Sequence, residues 1–355
     1  MTTPDGTKYH FGGTGATEQQ STESGGTTSL WLNSSWLLKK VESSDGNSVI
    51  NLTYVPENHA DVTLNPQSAI LERFSYKPFT GDLQWFDPSN YSKVRTIGRR
   101  LSQITSTNSQ INFITDNSPR QDLMSFVNGT TALAGQEAKA LNEIQINNGN
   151  LCKKFVFTNS YLVSPQNMFG DEIITTQEIE AKRLQLDAIQ EFLCDNSDSK
   201  PAYSFTYNST ALPTRLTLQK DHWGYYNGAI FNESLIPDLN FPSSVPAAFH
   251  GSANRTPSET HMKAGILEQI TYPTGGIRSL TYEPHKHNNE MIGGLRVQEV
   301  TTDDGQGTSN SLITTYYEYE DELKLYLETK GILDYEIQET EKGSIPMTCY
   351  RFWKL

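Results

Sequence analysis

Cysteine is scarce: Cys152, Cys194 and Cys349 are the only three in 355 residues. They are too widely spaced for a metal-ligand pattern and too few for a disulfide framework. At most one pair can bridge, so cysteine usage leaves the redox compartment open. Hydrophobic residues make up only 35% of the chain, and no apolar run reaches the roughly 18 residues that a membrane-spanning helix needs. Met1 is not followed by the basic-then-apolar layout of a secretory leader. Basic charge is also in deficit. With 28 Lys and Arg against 41 Asp and Glu, the formal charge is −13, which argues against a nucleic-acid surface, because that needs a concentrated basic patch. Its plain consequence is solubility. Catalytic signatures are missing as well: there is no Gly-x-Ser-x-Gly elbow and no His-Glu-x-x-His, and Gly12-Gly-Thr-Gly15 lacks the Lys and the strand–helix frame of a phosphate loop. No catalytic residue is assigned, and no cofactor or metal is implied.

Aromatics offset the low apolar content, with 17 Tyr, 15 Phe and 5 Trp. Such side chains bury large areas and favour strands. The stretch 265–285 shows how they are used. Leu267 and Ile270 lie in one β-rich run, Pro273-Thr-Gly-Gly276 supplies the turn, and Leu280 and Tyr282 alternate along the return. Pro pre-sets φ and Gly permits φ > 0, so the tetrapeptide predicts a hairpin.

The same plan recurs five more times. Leu38-x-x-Val41 precedes Ile50-x-Leu52-x-Tyr54, Leu101-x-x-Ile104 precedes Ile111-x-Phe113, and Leu141-x-x-Ile144 precedes Phe155-x-Phe157. Leu186-x-x-Ile189 precedes Tyr203-x-Phe205-x-Tyr207, and Val297-x-x-Val300 precedes Tyr317-x-Tyr319. Turn residues separate the halves, among them Ser44-Asp-Gly-Asn47 and Asp303-Asp-Gly-Gln-Gly307. Six copies with uneven spacing form an internal repeat of one supersecondary unit. Helix competes with strand over Thr131–Ile144 and Thr175–Phe192, where a short helix before the Leu-x-x-Ile element is the alternative. The tail from Asp321 to Leu355 is ambiguous, and residues 69–97 hold short aromatic pieces. Residues 1–29 read as a partial hairpin, a return strand without its outgoing partner, followed by a Gly/Ser/Thr-rich loop. Residues 30–236 and 265–355 read as hairpin regions, and residues 237–264 as a Pro-containing loop that divides them. The opening half-hairpin makes the chain read as a fragment.

Several local motifs resemble a known class. Pro4-Asp-Gly-Thr-Lys-Tyr-His-Phe11, Asp221-His-Trp-Gly-Tyr-Tyr-Asn-Gly228, Asn232-Glu-Ser-Leu-Ile-Pro237, Ile270-Thr-Tyr-Pro-Thr-Gly-Gly276, Tyr282-Glu-Pro-His285 and Gly293-Gly-Leu-Arg-Val297 resemble large surface or secreted proteins of Bacteroidota related to the RHS/YD-repeat class. The return strands carry Tyr54-Val, Tyr207-Asn, Tyr282-Glu and Tyr319-Glu where that class has Tyr-Asp. The resemblance implies an extracellular or cell-surface, non-enzymatic scaffold or encapsulating segment, placed upstream of a toxin or effector region. Its partners would be the remainder of the parent polypeptide or an encapsulated C-terminal cargo. The expected fold is all-β: successive antiparallel β-hairpins forming an extended curved sheet or a partial YD-shell-like wall.

Candidate chemistry is sparse. Asp221, His222, Trp223, Tyr225 and Tyr226 form the most unusual local composition, and they read either as a packed turn or as a ligand-binding platform for sugar rings. The second reading would make the chain an adhesin for surface glycans or proteins. His285-x-His287, with His222, has a spacing open to zinc, but a lone pair in a polar loop reads better as exposed histidines. Asp195-x-x-Asp198 and Asp303-Asp304 do not match a calcium loop and read as turn formers. A hydrolase using unpaired acids is the remaining alternative, since only spatial separation identifies such a pair.

Overall fold

The computed structural model describes residues 1–24, 27–64, 69–70, 84–85, 91–124, 135–149, 151–165, 177–237, 251–287, 290–306 and 312–319. In chain order the strands are β1 Lys8–Phe11, β2 Thr17–Ser24, β3 Thr27–Thr28, β4 Leu32–Trp36, β5 Leu38–Glu42 and β6 Val49–Leu64. After β7 Ala69–Ile70 and β8 Gln84–Trp85 come β9 Tyr91–Thr105, β10 Ser109–Pro119, β11 Lys139–Asn148 and β12 Leu151–Val163. Then follow β13 Lys182–Leu193, β14 Tyr203–Tyr207, β15 Leu267–Thr271, β16 Ile277–His287, β17 Glu290–Asp303 and β18 Ile313–Tyr316. Two four-residue helices, α1 Gln177–Glu180 and α2 Glu259–Met262, interrupt them.

The protein is all-β. One antiparallel sheet of 16 strands runs β1-β5-β6-β9-β10-β11-β12-β13-β14-β15-β16-β17-β18 and is open among the described residues, with β2, β3 and β4 off this path. All six expected hairpins form, although in the sixth the return strand is Ile313–Tyr316, just ahead of the expected Tyr317-x-Tyr319. The pairs Val41↔Ile50, Ile104↔Ile111, Ile144↔Phe155, Ile189↔Tyr203, Ile270↔Arg278 and Val300↔Thr315 mark them. Each Leu-x-x-Ile strand also pairs with the return strand of the preceding unit, as in Leu52↔Ile104, Phe113↔Ile144, Phe157↔Ile189 and Leu280↔Val300. Paired residues share a sheet face. The apolar positions of all six units therefore form one continuous stripe.

The three-residue step within Leu-x-x-Ile needs an explanation, because a strand alternates with period two. Each step contains a bulge. Leu38 faces Phe11 while Lys40 faces His10, which leaves Lys39 unpaired. The same shift leaves Ser102, Asn142, Asp187, Glu268 and Gln298 as the extra residue in the later units. All six are polar. The extra residue restores parity, so Leu and Ile fall on the same face, and a row of bulges bends successive strands at equivalent places.

A second device accompanies the bulge. The Tyr54 hydroxyl donates to the Leu38 carbonyl at 2.8 Å, Tyr207 to Leu186 at 2.7 Å, Tyr282 to Leu267 at 2.7 Å and Tyr319 to Val297 at 2.6 Å. Two units lack the tyrosine: in one, the Asn159 amide makes the same bond to the Leu141 carbonyl at 3.0 Å, and in the other Thr115 stands at that position. These carbonyls sit beside the bulge, where the ladder is interrupted, so the side chain supplies a donor where a strand N–H is displaced.

Two expectations are corrected. Residues 12–29 are not a plain loop. Thr17–Ser24 forms β2, which pairs with the outer edge of β9 from Gln19↔Ile97 to Ser24↔Ser92, and with β4 on its other side. Its Thr, Gln, Ser and Glu side chains carry no apolar period, and the backbone ladder holds the strand instead. The Glu18 carboxylate adds a bond from the Arg99 N–H at 3.0 Å. The first hairpin is not missing its outgoing arm either: Thr2 pairs with Lys8, and the Met1 carbonyl accepts the Tyr9 N–H at 2.8 Å. Between the alternatives for Thr175–Phe192, both parts occur: α1 first, then β13. In the Thr131–Ile144 stretch, Lys139 onward is strand. Phe74–Tyr76, residues 321–355 and Cys349 lie outside the described residues.

Cys152 and Cys194 form a disulfide with Cα atoms 5.4 Å apart, joining β12 to the end of β13. The hairpin turns, including that at 194–199, line one rim of the sheet. The longer connections line the other. Residues 208–266 leave β14 and return to adjacent β15, paired with it through Phe205↔Ile270, so this insertion occupies the second rim. Much of the fully buried apolar surface lies there, at Leu216, Leu218, Ile236, Ala253, Met262 and Ala264.

Deleting the hydroxyl in Tyr207→Phe should destabilise the protein by about 1 kcal/mol, the net value of one such bond. The same change at Tyr203, which is 43% exposed, should leave urea midpoints unchanged. An unchanged midpoint for Tyr207→Phe would assign the contribution to the ring, which the variant keeps.

Candidate ligand-binding site

Within the insertion, Asp221 organises the local backbone. It is 0% exposed. Its Oδ1 accepts the N–H groups of Trp223 and Tyr225, both at 2.9 Å. Its own N–H donates to the Tyr225 carbonyl at 2.8 Å, and its carbonyl accepts the Gly224 N–H at 3.1 Å and Arg255 Nη2 at 2.6 Å. Asp is one of the few residues able to close a turn this way through its side chain. Oδ2 is buried with no hydrogen-bond partner. Burial raises the Asp221 pKa against the opposing pull of the Tyr225 and Trp223 N–H groups and of Arg255.

The turn docks on the start of β17. A Cβ at Gly293 would come within 2.2 Å of the Trp223 ring, and φ there is +74°. A Cβ at Gly294 would lie 3.2 Å from the Tyr225 hydroxyl. The pair Gly293-Gly294 is thus required by close approach of the aromatic turn. On the other side, a Cβ at Gly228 would sit 2.4 Å from the His261 ring. That ring meets Tyr226 edge-on, with centroids 5.0 Å apart, and bonds Ser258 Oγ through Nδ1 at 2.7 Å. Asn227 ties the turn to 254–256 through the Asn254 and Thr256 carbonyls, at 2.9 and 3.2 Å.

The five candidate residues therefore divide. Asp221 is buried, and His222 and Trp223 are half-buried, with rings edge-on at 6.1 Å. Burial and then the Arg255 charge push the His222 pKa down to about 4, so its ring is neutral at pH 7. Tyr225, 45% exposed, and half-buried Tyr226 line a cleft of about 390 Å³ with Arg183, Arg215, Lys220 and His261. Sequence reasoning missed the cations. Arg183 is the second residue of β13, and Arg215 and Lys220 flank the buried run 216–219; no spacing links these three.

Arg215 is doubly ion-paired, to Asp61 and Glu180. It meets Asp61 Oδ1 at 3.0 Å, Glu180 Oε1 at 3.2 Å and the Asp122 carbonyl at 2.8 Å. Burial raises the Glu180 pKa to about 7, outweighing the opposing attraction of Arg215. Burial, then repulsion from Arg215, lowers the Arg183 pKa despite the pull of Glu180.

The other motifs resolve into turns. Asp195 Oδ1 accepts the Ser197 N–H at 2.9 Å, and Asp303 and Asp304 accept those of Gly305 and Gln306 at 2.9 and 2.8 Å. No group of three His, Cys, Asp or Glu side chains suited to a metal occurs among the described residues, and the His287 side chain lies outside them.

Neither a protein-family model nor a curated relative matches the sequence. Among solved structures, the chain is similar to the crystal structure of TcdB2-TccC3, with a TM-score of 0.31 and 12% identity. The match covers 89% of this chain and 16% of that one, so the chain spans about one-sixth of that neighbour's length.

His222 should make stability depend on pH. Its folded pKa lies below the ordinary imidazole value of 6.5. Its contribution is therefore complete above about pH 6.5 and is lost as pH falls through about 4. His222→Gln should flatten that limb of the stability profile by on the order of 1–2 kcal/mol, allowing for solvent screening of a half-buried ring. Chemical denaturation across this range reads the difference. Gly293→Ala, by displacing Trp223, should shift the tryptophan emission to longer wavelength.

Proposed function

We propose that this chain is a non-enzymatic wall segment of a large surface or secreted protein of the RHS/YD-related class. It would adjoin the remainder of its parent polypeptide and serve as scaffold or enclosure for a C-terminal toxin or effector cargo. The observation that carries this reading is the repeating unit itself. Each Leu-x-x-Ile strand completes the preceding hairpin, as Leu101 does opposite Tyr54 and Val297 opposite Tyr282. A unit built this way depends on its neighbours for pairing, so the architecture extends by adding copies along one direction. That is the logic of a wall.

The disulfide favours an extracellular setting, because such bonds persist in oxidising compartments and are rare in the cytosol. Bridging Cys152 to Cys194, 42 residues apart, is worth about 4 kcal/mol by the chain-entropy relation. For chain made in an oxidising compartment, thiol titration under denaturing conditions should read one thiol before reduction and three after. Three thiols throughout would remove the argument for an extracellular setting.

Edge pairing supplies the functional test. Among the described residues β18 pairs only with β17, and Ile313 is 67% exposed. Sedimentation should show concentration-dependent association, reduced by Ile313→Lys, since charge on an edge strand blocks pairing. A strictly monomeric chain that turned over polysaccharide would replace the wall reading with a hydrolase.

A further inference from the structure

The cleft at the second rim has no role in a wall. Its volume of about 390 Å³ falls within the range of small-molecule sites, roughly 300–1,000 Å³. Of its three cations, Arg215 is neutralised by Asp61 and Glu180. Arg183 and Lys220 have no ion-pair partner among the described residues, and Arg183 Nη1 is buried with no hydrogen-bond partner. Glu180, the acid that acts on Arg183, is already held by Arg215.

Leaving two such cations in one cleft is costly: burial and then Arg215 act against the charge of Arg183. Burial lowers the Lys220 pKa first, and repulsion from Arg255 and Arg183 lowers it further. An anion entering the cleft would relieve both desolvation and repulsion. The positive cleft is also set in a chain of net charge −13, so the surrounding field does not account for it. The remaining lining suits a sugar rather than a bare ion. Tyr225 and Tyr226 offer rings with polar ends, and Thr217 adds a hydroxyl.

We infer that the cleft binds an acidic carbohydrate, with its carboxylate or sulfate held between Arg183 and Lys220 and its ring against Tyr225 and Tyr226. This site is independent of the wall reading. A guanidinium and an ammonium acting together favour an anionic group in fixed orientation, Arg through its planar fork and Lys as a point charge.

Calorimetric titration tests it with four probes: a tetragalacturonate, its methyl ester, a sulfated chondroitin tetrasaccharide and hexaglutamate. The expected result is binding of the tetragalacturonate or the sulfated sugar, which identifies carboxylate or sulfate as the recognised group, and none of the ester. Arg183→Gln and Lys220→Gln should each weaken it about ten-fold, the value of one charge-assisted hydrogen bond. Equal binding of the ester, tighter or equal binding of hexaglutamate, unchanged affinity in both variants, or no binding at all would overturn the proposal. Should either variant unfold by circular dichroism, reductive methylation of the wild-type chain decides. Protection of Lys220 by the bound sugar supports the site, and complete labelling at saturation overturns it. Failure here would leave the sedimentation and thiol results standing.

Discussion

The carbonyl of the first residue in each Leu-x-x-Ile element is the point on which the sheet depends. A bulge follows it immediately, so its ladder partner is displaced, and in five of the six elements a side chain from the return strand of the same unit restores the bond. Tyr54, Tyr207, Tyr282 and Tyr319 do this with hydroxyls, and Asn159 does it with an amide. That an asparagine can stand in shows that the donor is the constrained feature and the aromatic ring is one way of delivering it. The bulge in turn lets Leu and Ile, three residues apart, share a face. Without it the apolar stripe would break at every unit, because a one-residue slip turns later side chains to the opposite face.

A single-layer sheet stabilised this way has little fully buried interior. Its strand residues are mostly half-buried, and the residues most removed from water gather in the insertion at 208–266. There the interior is unusually polar, with Gln219, Asp221 and Asn227 among its buried residues. Backbone N–H groups meet Asp221 Oδ1, and backbone carbonyls accept from the Asn227 amide, at hydrogen-bond distance. The insertion is therefore held by specific bonds as much as by apolar area, which suits a segment that carries a cleft on its surface.

The two rims divide the work. The turn rim is built from local devices, namely Asx turns at Asp45, Asp195, Asp303 and Asp304 and the disulfide beside Cys152. The second rim gathers distant parts of the chain: Asp61, Asp122, Glu180 and Arg215 meet there across separations of up to 154 residues. A regular wall needs only the first kind of contact, and the second kind creates a distinct chemical environment on one edge.

The six hairpins and their turns were legible in the sequence, because each depends on residues a few positions apart, while the registers and bulges were not. The alternation of Ile50, Leu52 and Tyr54, or of Tyr203, Phe205 and Tyr207, is a direct imprint of strand geometry. The segment 17–24 was not legible, since its polar side chains bear no stripe and its strand exists only because the β9 edge is there to pair with it. The aromatic turn at 221–228 stood out by composition, but its orientation did not: Gly293 and Gly294, some seventy residues away, fix where Trp223 and Tyr225 lie. Arg183 and Lys220 carry no local signature at all. Short-range backbone physics wrote the repeat into the sequence, while the meeting of those cations required the insertion to fold back over β13 and β17, a long-range contact that no local pattern encodes.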